Sequence, residues 1–310
     1  VRTEQQALKV SLLGVLIVSA LGIGFGVVSG SFAILFDGVF SLVDAVMSVV
    51  SITLAGLIAK SASNALSKRT HDRFTMGFWH FEPIVLAVNA LLMMSVASYA
   101  LFQAISALLT GGRDVEFGPA VVYAVVVVVL TIAIGSIEHR ANKKIGSALV
   151  AMDVKGWLMA GGVTGALLVA FLIGMLIEDT DAEWAMPYVD PAVLAIVALI
   201  LLPLPFSTLR RALAEISLVT PPELKKQAEG AAQDVTETEG FTDYRVYASQ
   251  QGRARTIDVV FYVPTEMGMR SLEDWDRIRD STRAQLDGED PHSWITVSFT
   301  TKTPPPQPQP

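Results

Sequence analysis

The chain has 310 residues, of which 52% are hydrophobic and 17% charged, and its net charge is −7. A soluble domain carries about 25% charged residues, so the composition, with a mean hydropathy of +0.49, excludes disordered and collagen-like chains and argues against a nucleic-acid partner. The absence of cysteine removes disulfides, thiolate-bound zinc, iron–sulfur clusters and cysteine nucleophiles, and leaves Asp, Glu and four histidines as strong metal ligands.

In chain order, residues 10–36 contain no charged side chain, and 83–112, 117–137, 156–177 and 191–209 are equally bare. At about 1.5 Å per residue each is long enough, or nearly so, for a hydrocarbon layer of about 30 Å. Residues 32–59 are just as apolar but contain Asp37 and Asp44. Six membrane-spanning helices follow, the first two meeting at a turn near Gly30 and Ser31. The first run is too long for the apolar part of a secretory signal and lacks a clear cleavage site, which predicts a retained helix.

Basic residues orient the spans. Arg2 and Lys9 precede the first. Lys60, Lys68, Arg69 and Arg73 separate the second and third, and Arg140, Lys143 and Lys144 separate the fourth and fifth. Arg210 and Arg211 follow the sixth. The intervening loops hold Arg113 and an acidic group, Glu178, Asp179, Asp181 and Glu183. By the positive-inside rule both termini are cytoplasmic, and the expected location is the inner (plasma) membrane of a bacterium.

The domain boundaries expected are 1–211 for the membrane part, 212–303 for a cytoplasmic domain and 304–310 for a disordered proline-rich tail. Pro221 and Pro222 open a helix over about 223–238. Strands follow at 244–249 and 256–263 around a turn at Gly252, then an amphipathic helix at 272–286 and a strand at 294–300. This α-β-β-α-β order predicts a small α+β layer holding most of the acidic charge. Trp275 and Trp294 read as core residues.

Ionisable side chains within a bilayer cost about 2.5–3.5 kcal/mol each on insertion scales, which singles out Asp37 and Asp44 on the second span and Asp153 at the start of the fifth. The first two are seven residues apart, two helical turns, and share a face with Phe40 and Ser41. The ordinary readings are a cap near the outer surface for Asp37, and for Asp153 an ion pair with Lys155 or a loop cation. His71 with Asp72 and His292 with Asp290 are peripheral metal-site candidates, each of which reads more readily as an ordinary solvated position. No HExxH, GxSxG or Walker sequence appears, so an enzyme has little support.

The segments FDGVFSLVDAVMS on the second span, FTMGFWHFE before the third, SALVAMDVKGW opening the fifth and YVDPAVLAIVALIL on the sixth resemble the cation diffusion facilitator family. EGFTDYRVYASQQGRARTIDVVFYV and HSWITVSF are similar to that family's cytoplasmic domain. The resemblance implies an α-helical membrane domain of six TM helices plus a C-terminal α+β ferredoxin-like (metallochaperone-like) cytoplasmic domain. It also implies efflux of divalent metal cations, commonly in exchange for protons, by a homodimer joined through residues 212–303. The cation is substrate; no tightly bound cofactor is expected, and the other partner is membrane lipid.

The family's membrane site takes two His or Asp ligands from the second span and two from the fifth. Here those positions are Phe40 and Asp44, and Gly156 and Ala160. One carboxylate with Phe, Gly and Ala cannot form a tetrahedral zinc site. The expected substitute is a ladder of oxygen ligands: Asp44 as chief ligand, Asp37 on its outer side and Asp153 about one turn to its cytoplasmic side. Such a ladder favours Mg²⁺ or Mn²⁺ over zinc. The alternative is a transport-incompetent relative acting as a membrane-anchored sensor, scaffold or heterodimer partner.

Overall fold

The computed structural model describes residues 4–62, 68–74, 77–145, 148–178, 180–252, 254–286, 290 and 293–302. The chain divides into two compact units, one formed by Val1–Ile52 with Ala87–Leu209 and the other by Thr53–Leu86 with Arg210–Pro310. The apolar runs become α1 (Glu4–Ser29), α2 (Phe32–Ala62), then, after the short α3 (Lys68–Arg73), α4 (Phe81–Leu109), α5 (Phe117–Ile145), α6 (Ala148–Ile177), α7 (Met186–Leu201) and α8 (Leu204–Ile216). Six segments are long and apolar enough to cross a membrane, with α7 and α8 sharing the sixth, Glu183–Ile216. Side chains such as Leu13, Val28, Phe102, Leu158 and Leu176 are exposed on these helices, as suits a hydrocarbon surrounding.

Within the first unit, α1 turns back into α2 at Gly30, whose φ of 70° suits a residue without Cβ. The two helices then touch along their backbones. A Cβ added to Gly22 would lie 2.5 Å from the Gly38 Cα, and Ser19 Oγ donates to the Gly38 carbonyl at 2.9 Å. The core beside this contact contains Ile34, Tyr123, Val127, Leu167, Phe171 and Leu194, all buried.

Two helix bounds differ from the sequence reading. Helix α7 of the sixth span begins at Met186, upstream of the charge-free run, and so takes in Asp190. It is also interrupted between Leu201 and Leu204, where Pro203 has no N–H to continue the ladder. The fifth span begins at Ala148, which places Asp153 inside a helix.

In the second unit, α9 (Pro222–Glu239), β1 (Asp243–Gln251), β2 (Ala254–Tyr262), α10 (Leu272–Gln285) and β3 (Ser293–Thr300) reproduce the expected order. The sheet runs β1-β2-β3, antiparallel across the first pair and parallel across the second, with Ile257 opposite Ile295 and Val259 opposite Val297. Alternate residues Ile257, Val259 and Phe261 point into a core closed by Leu224, Ala228, Ala232 and Val235 of α9 and Ile278 of α10, the two periodicities of strand and helix meeting on one layer. Trp275 packs on this core. Trp294 does not: its side chain is 60% exposed, because it alternates to the opposite face from Ile295 and Val297. Helix α10 starts with a capping box in which Ser271 and Asp274 satisfy one another's backbone N–H groups. Those bonds hold the exposed Asp274 carboxyl below its usual 3.8.

Candidate functional site

The α2 sequence places Asp37, Phe40, Ser41 and Asp44 at i, i+3, i+4 and i+7, one helical face. All four line a cavity of about 360 Å³, whose other walls come from Val15 and Val18 of α1, from Asp153, Gly156, Trp157 and Ala160 of α6, and from Leu201, Leu204 and Pro205 at the break in the sixth span. The structure thus brings the three predicted membrane carboxylates to one cavity, together with every residue at the family's ligand positions.

The three are held differently. Asp37 is half-buried and accepts hydrogen bonds from Tyr123 Oη at 2.8 Å and Thr164 Oγ1 at 3.2 Å, which tie α2 to α5 and α6. Asp37 therefore does not cap a helix through these bonds: its partners are side chains of neighbouring spans. Asp44 is exposed, open to the cavity, and lies within electrostatic reach of Asp153. Asp153 is half-buried, and among the described residues its Oδ2 receives no hydrogen bond while the carboxyls of Asp44 and Glu138 lie within its electrostatic reach.

The ligand positions without ligand chemistry are equally distinct. Phe40 packs its ring on Phe36, with centroids 5.5 Å apart. A Cβ on Gly156 would meet no atom within 4 Å, so this side of the cavity has room for water or a hydrated ion. Among the described residues, no group of three or more His, Asp or Glu side chains stands close enough to hold a metal ion by itself. A cation here would keep much of its water, the habit of hard ions.

The peripheral candidates do not add to this cavity. Asp72 is exposed on α3, and Asp290 accepts at its backbone carbonyl from Ser293 N at 2.9 Å, next to β3. The His71 side chain and His292 lie outside the described residues.

Four inward-facing polar side chains of this unit do not stand out in the sequence. Glu138 is fully buried, although it ended a charge-free run and read as a boundary. Its spacing of seven from the buried Thr131 is the signal that places it on an inward face. Asp190 is also fully buried. It accepts from Ser31 Oγ at 2.5 Å, Phe32 N at 3.2 Å and Ala33 N at 3.2 Å, capping α2 from across the unit. Tyr123 and Thr164 carry no charge, and their role appears only once Asp37 is seen to lie against them.

A family model described as the cation efflux transmembrane domain matches residues 8–217. The chain belongs to the cation diffusion facilitator family. It is a cation efflux protein of the membrane. It is similar to the metal cation efflux system protein CzcD of Cupriavidus metallidurans, 25% identical over 240 residues, which is 76% of this chain and 69% of the relative. The cation efflux system protein CzcD of an Alcaligenes species is similar to the same extent.

Proposed function

We propose that this cation diffusion facilitator exports a divalent metal cation from the cytoplasm by alternating access, binding it on carboxylate oxygen centred on Asp44 with Asp37 and Asp153 as accessory groups. The observation that carries this reading is an open carboxylate, Asp44, in a cavity whose other charged lining groups are also carboxylates. A cation entering it meets negative charge on two sides and space for its water beside Gly156. Oxygen ligands and retained water favour Mn²⁺ or Mg²⁺ over Zn²⁺. The names of the CzcD relatives support a metal cation as cargo. The break at Pro203, whose flanks Leu201 and Leu204 line the cavity, offers the hinge that alternating access needs.

Three further parts of the reading rest on the sequence. The placement of Lys and Arg supports a cytoplasmic location for both termini. The family resemblance supports a homodimer joined through residues 212–303, and it supports exchange for protons, which desolvated carboxylates can take up.

A cation panel read by thermal shift tests the assignment. Mn²⁺ or Mg²⁺ stabilises the wild type, and Asp44→Asn abolishes the shift. One observation favours a second reading: no three-ligand group occurs among the described residues, as in a family member that no longer transports. Stabilisation that survives Asp44→Asn and disappears with His292→Ala would establish that sensor-like alternative.

A further inference from the structure

Glu138 of α5 is 0% exposed, and among the described residues no group stands in good hydrogen-bond geometry to either of its carboxylate oxygens or to Oδ2 of Asp153. Among the described residues, the groups that act on Glu138 are the Asp153 carboxyl and the Ser11 hydroxyl. Two ionised carboxylates have no proton to offer each other, and the one other group that acts on Glu138 is a hydroxyl, with no Lys, Arg or His among them. A buried anion left this way is costly, and Asp190 shows the ordinary solution in the same unit: three donors on one carboxylate. Glu138 has only the Ser11 hydroxyl in place of those three donors and faces another acid.

We propose that Glu138 and Asp153 form a second divalent-cation station next to the Asp44 cavity, in which a hard cation bridges the two carboxylates and completes its shell with Ser11 Oγ and water. Ser11 is fixed for this by Trp157, whose Nε1 donates to its Oγ at 2.8 Å, leaving oxygen lone-pair capacity for an ion. Asp153 belongs to both places. It lines the cavity and acts on both Asp44 and Glu138, so a cation held by Glu138 is one shared carboxylate away from Asp44. With α5 running on from Glu138 into Arg140, Lys143 and Lys144, the station sits at the cytoplasmic end of the path and loads the cavity. The inference rests on the transport reading for its direction, but not for the binding itself.

The test is a Mn²⁺ titration of the purified full chain in lipid nanodiscs, with free Mn²⁺ followed by electron paramagnetic resonance. The wild type binds two Mn²⁺. Glu138→Gln weakens one site by about 10-fold or more, while Asp44→Asn weakens the other and leaves the first. Metal-free Glu138→Gln melts no lower than the wild type, because an uncompensated buried charge has been removed; a purely structural Glu138 gives a lower melting temperature and unchanged binding, which overturns the proposal. Superimposable Mn²⁺ isotherms for wild type and Glu138→Gln also overturn it, as for a pair that only shares a proton, and so does a wild type that binds no Mn²⁺. Glu138→Asp, which keeps the charge with a shorter reach, gives intermediate binding and serves if the Gln variant does not fold. Failure of the transport reading is separate: it shows as absent Mn²⁺ flux from reconstituted wild type, whatever the binding stoichiometry.

Discussion

Removal of the Asp190 carboxylate tests how the first unit is held together. This side chain is fully buried and takes the N–H groups of Phe32 and Ala33 and the hydroxyl of Ser31, all at the first turn of α2. Arg113 lies near enough to act on it and stacks over the Phe32 ring at 3.6 Å. Asp190→Ala leaves three buried donors and a cation without their partner, and breaking such a buried charged group costs about 3–5 kcal/mol. Asp190→Asn keeps one acceptor oxygen and loses about one charge-assisted hydrogen bond, about 1.5–3 kcal/mol. Reversible unfolding in mixed micelles, by titration with a denaturing detergent, measures both. The predicted order is wild type, then Asn, then Ala. If both variants lie within about 0.5 kcal/mol of wild type, the ordinary range for an unimportant surface position, the reasoning fails.

Three other outcomes follow from local geometry. Gly22→Val drives a side chain into the backbone of Gly38, where even a Cβ would approach to 2.5 Å; separating α1 from α2 costs about 1–3 kcal/mol, read as a lower unfolding midpoint, with Gly22→Ala intermediate. Ser271→Ala removes the α10 cap at a cost of about 1 kcal/mol, seen as faster amide exchange confined to α10. Since Asp274 is held below its usual 3.8 by Ser271, the stability it contributes is present above that pH and disappears as pH falls through its lower folded value, and α10 exchange in the Ala variant responds less to acidification. Phe40→Asp combined with Gly156→His rebuilds two of the family's ligand positions and so makes three with Asp44, in a cavity where Gly156 has room for a side chain. The double variant gains a zinc-dependent thermal stabilisation of about 2.7 kcal/mol at 100-fold excess over its dissociation constant, which the wild type lacks.

The α+β layer was legible because both of its periods are written openly: Ile257, Val259 and Phe261 alternate, and Leu224, Ala228, Ala231 and Val235 recur at helical spacing. The membrane spans were legible as charge-free runs, and Asp37, Asp44 and Asp153 as charges where none is affordable. The same rule hid Glu138 and Asp190. Each stands at the edge of an uncharged run, and charge at an edge looks like a boundary until tertiary partners show that the helix continues with the charge inside. The break at Pro203 was invisible to hydropathy, since its flanks are as apolar as the span they interrupt. The grouping of Thr53–Leu86 with the C-terminal residues depends on contacts between segments far apart in sequence, which local pattern does not record.

The central claim is that Asp44 binds the transported cation. Its most direct test is Mn²⁺ uptake into proteoliposomes containing wild type or Asp44→Asn, at matched protein density and with a fluorescent indicator trapped inside. Wild-type vesicles should accumulate Mn²⁺ and Asn vesicles should fall to the protein-free background; undiminished flux through Asp44→Asn would contradict the account.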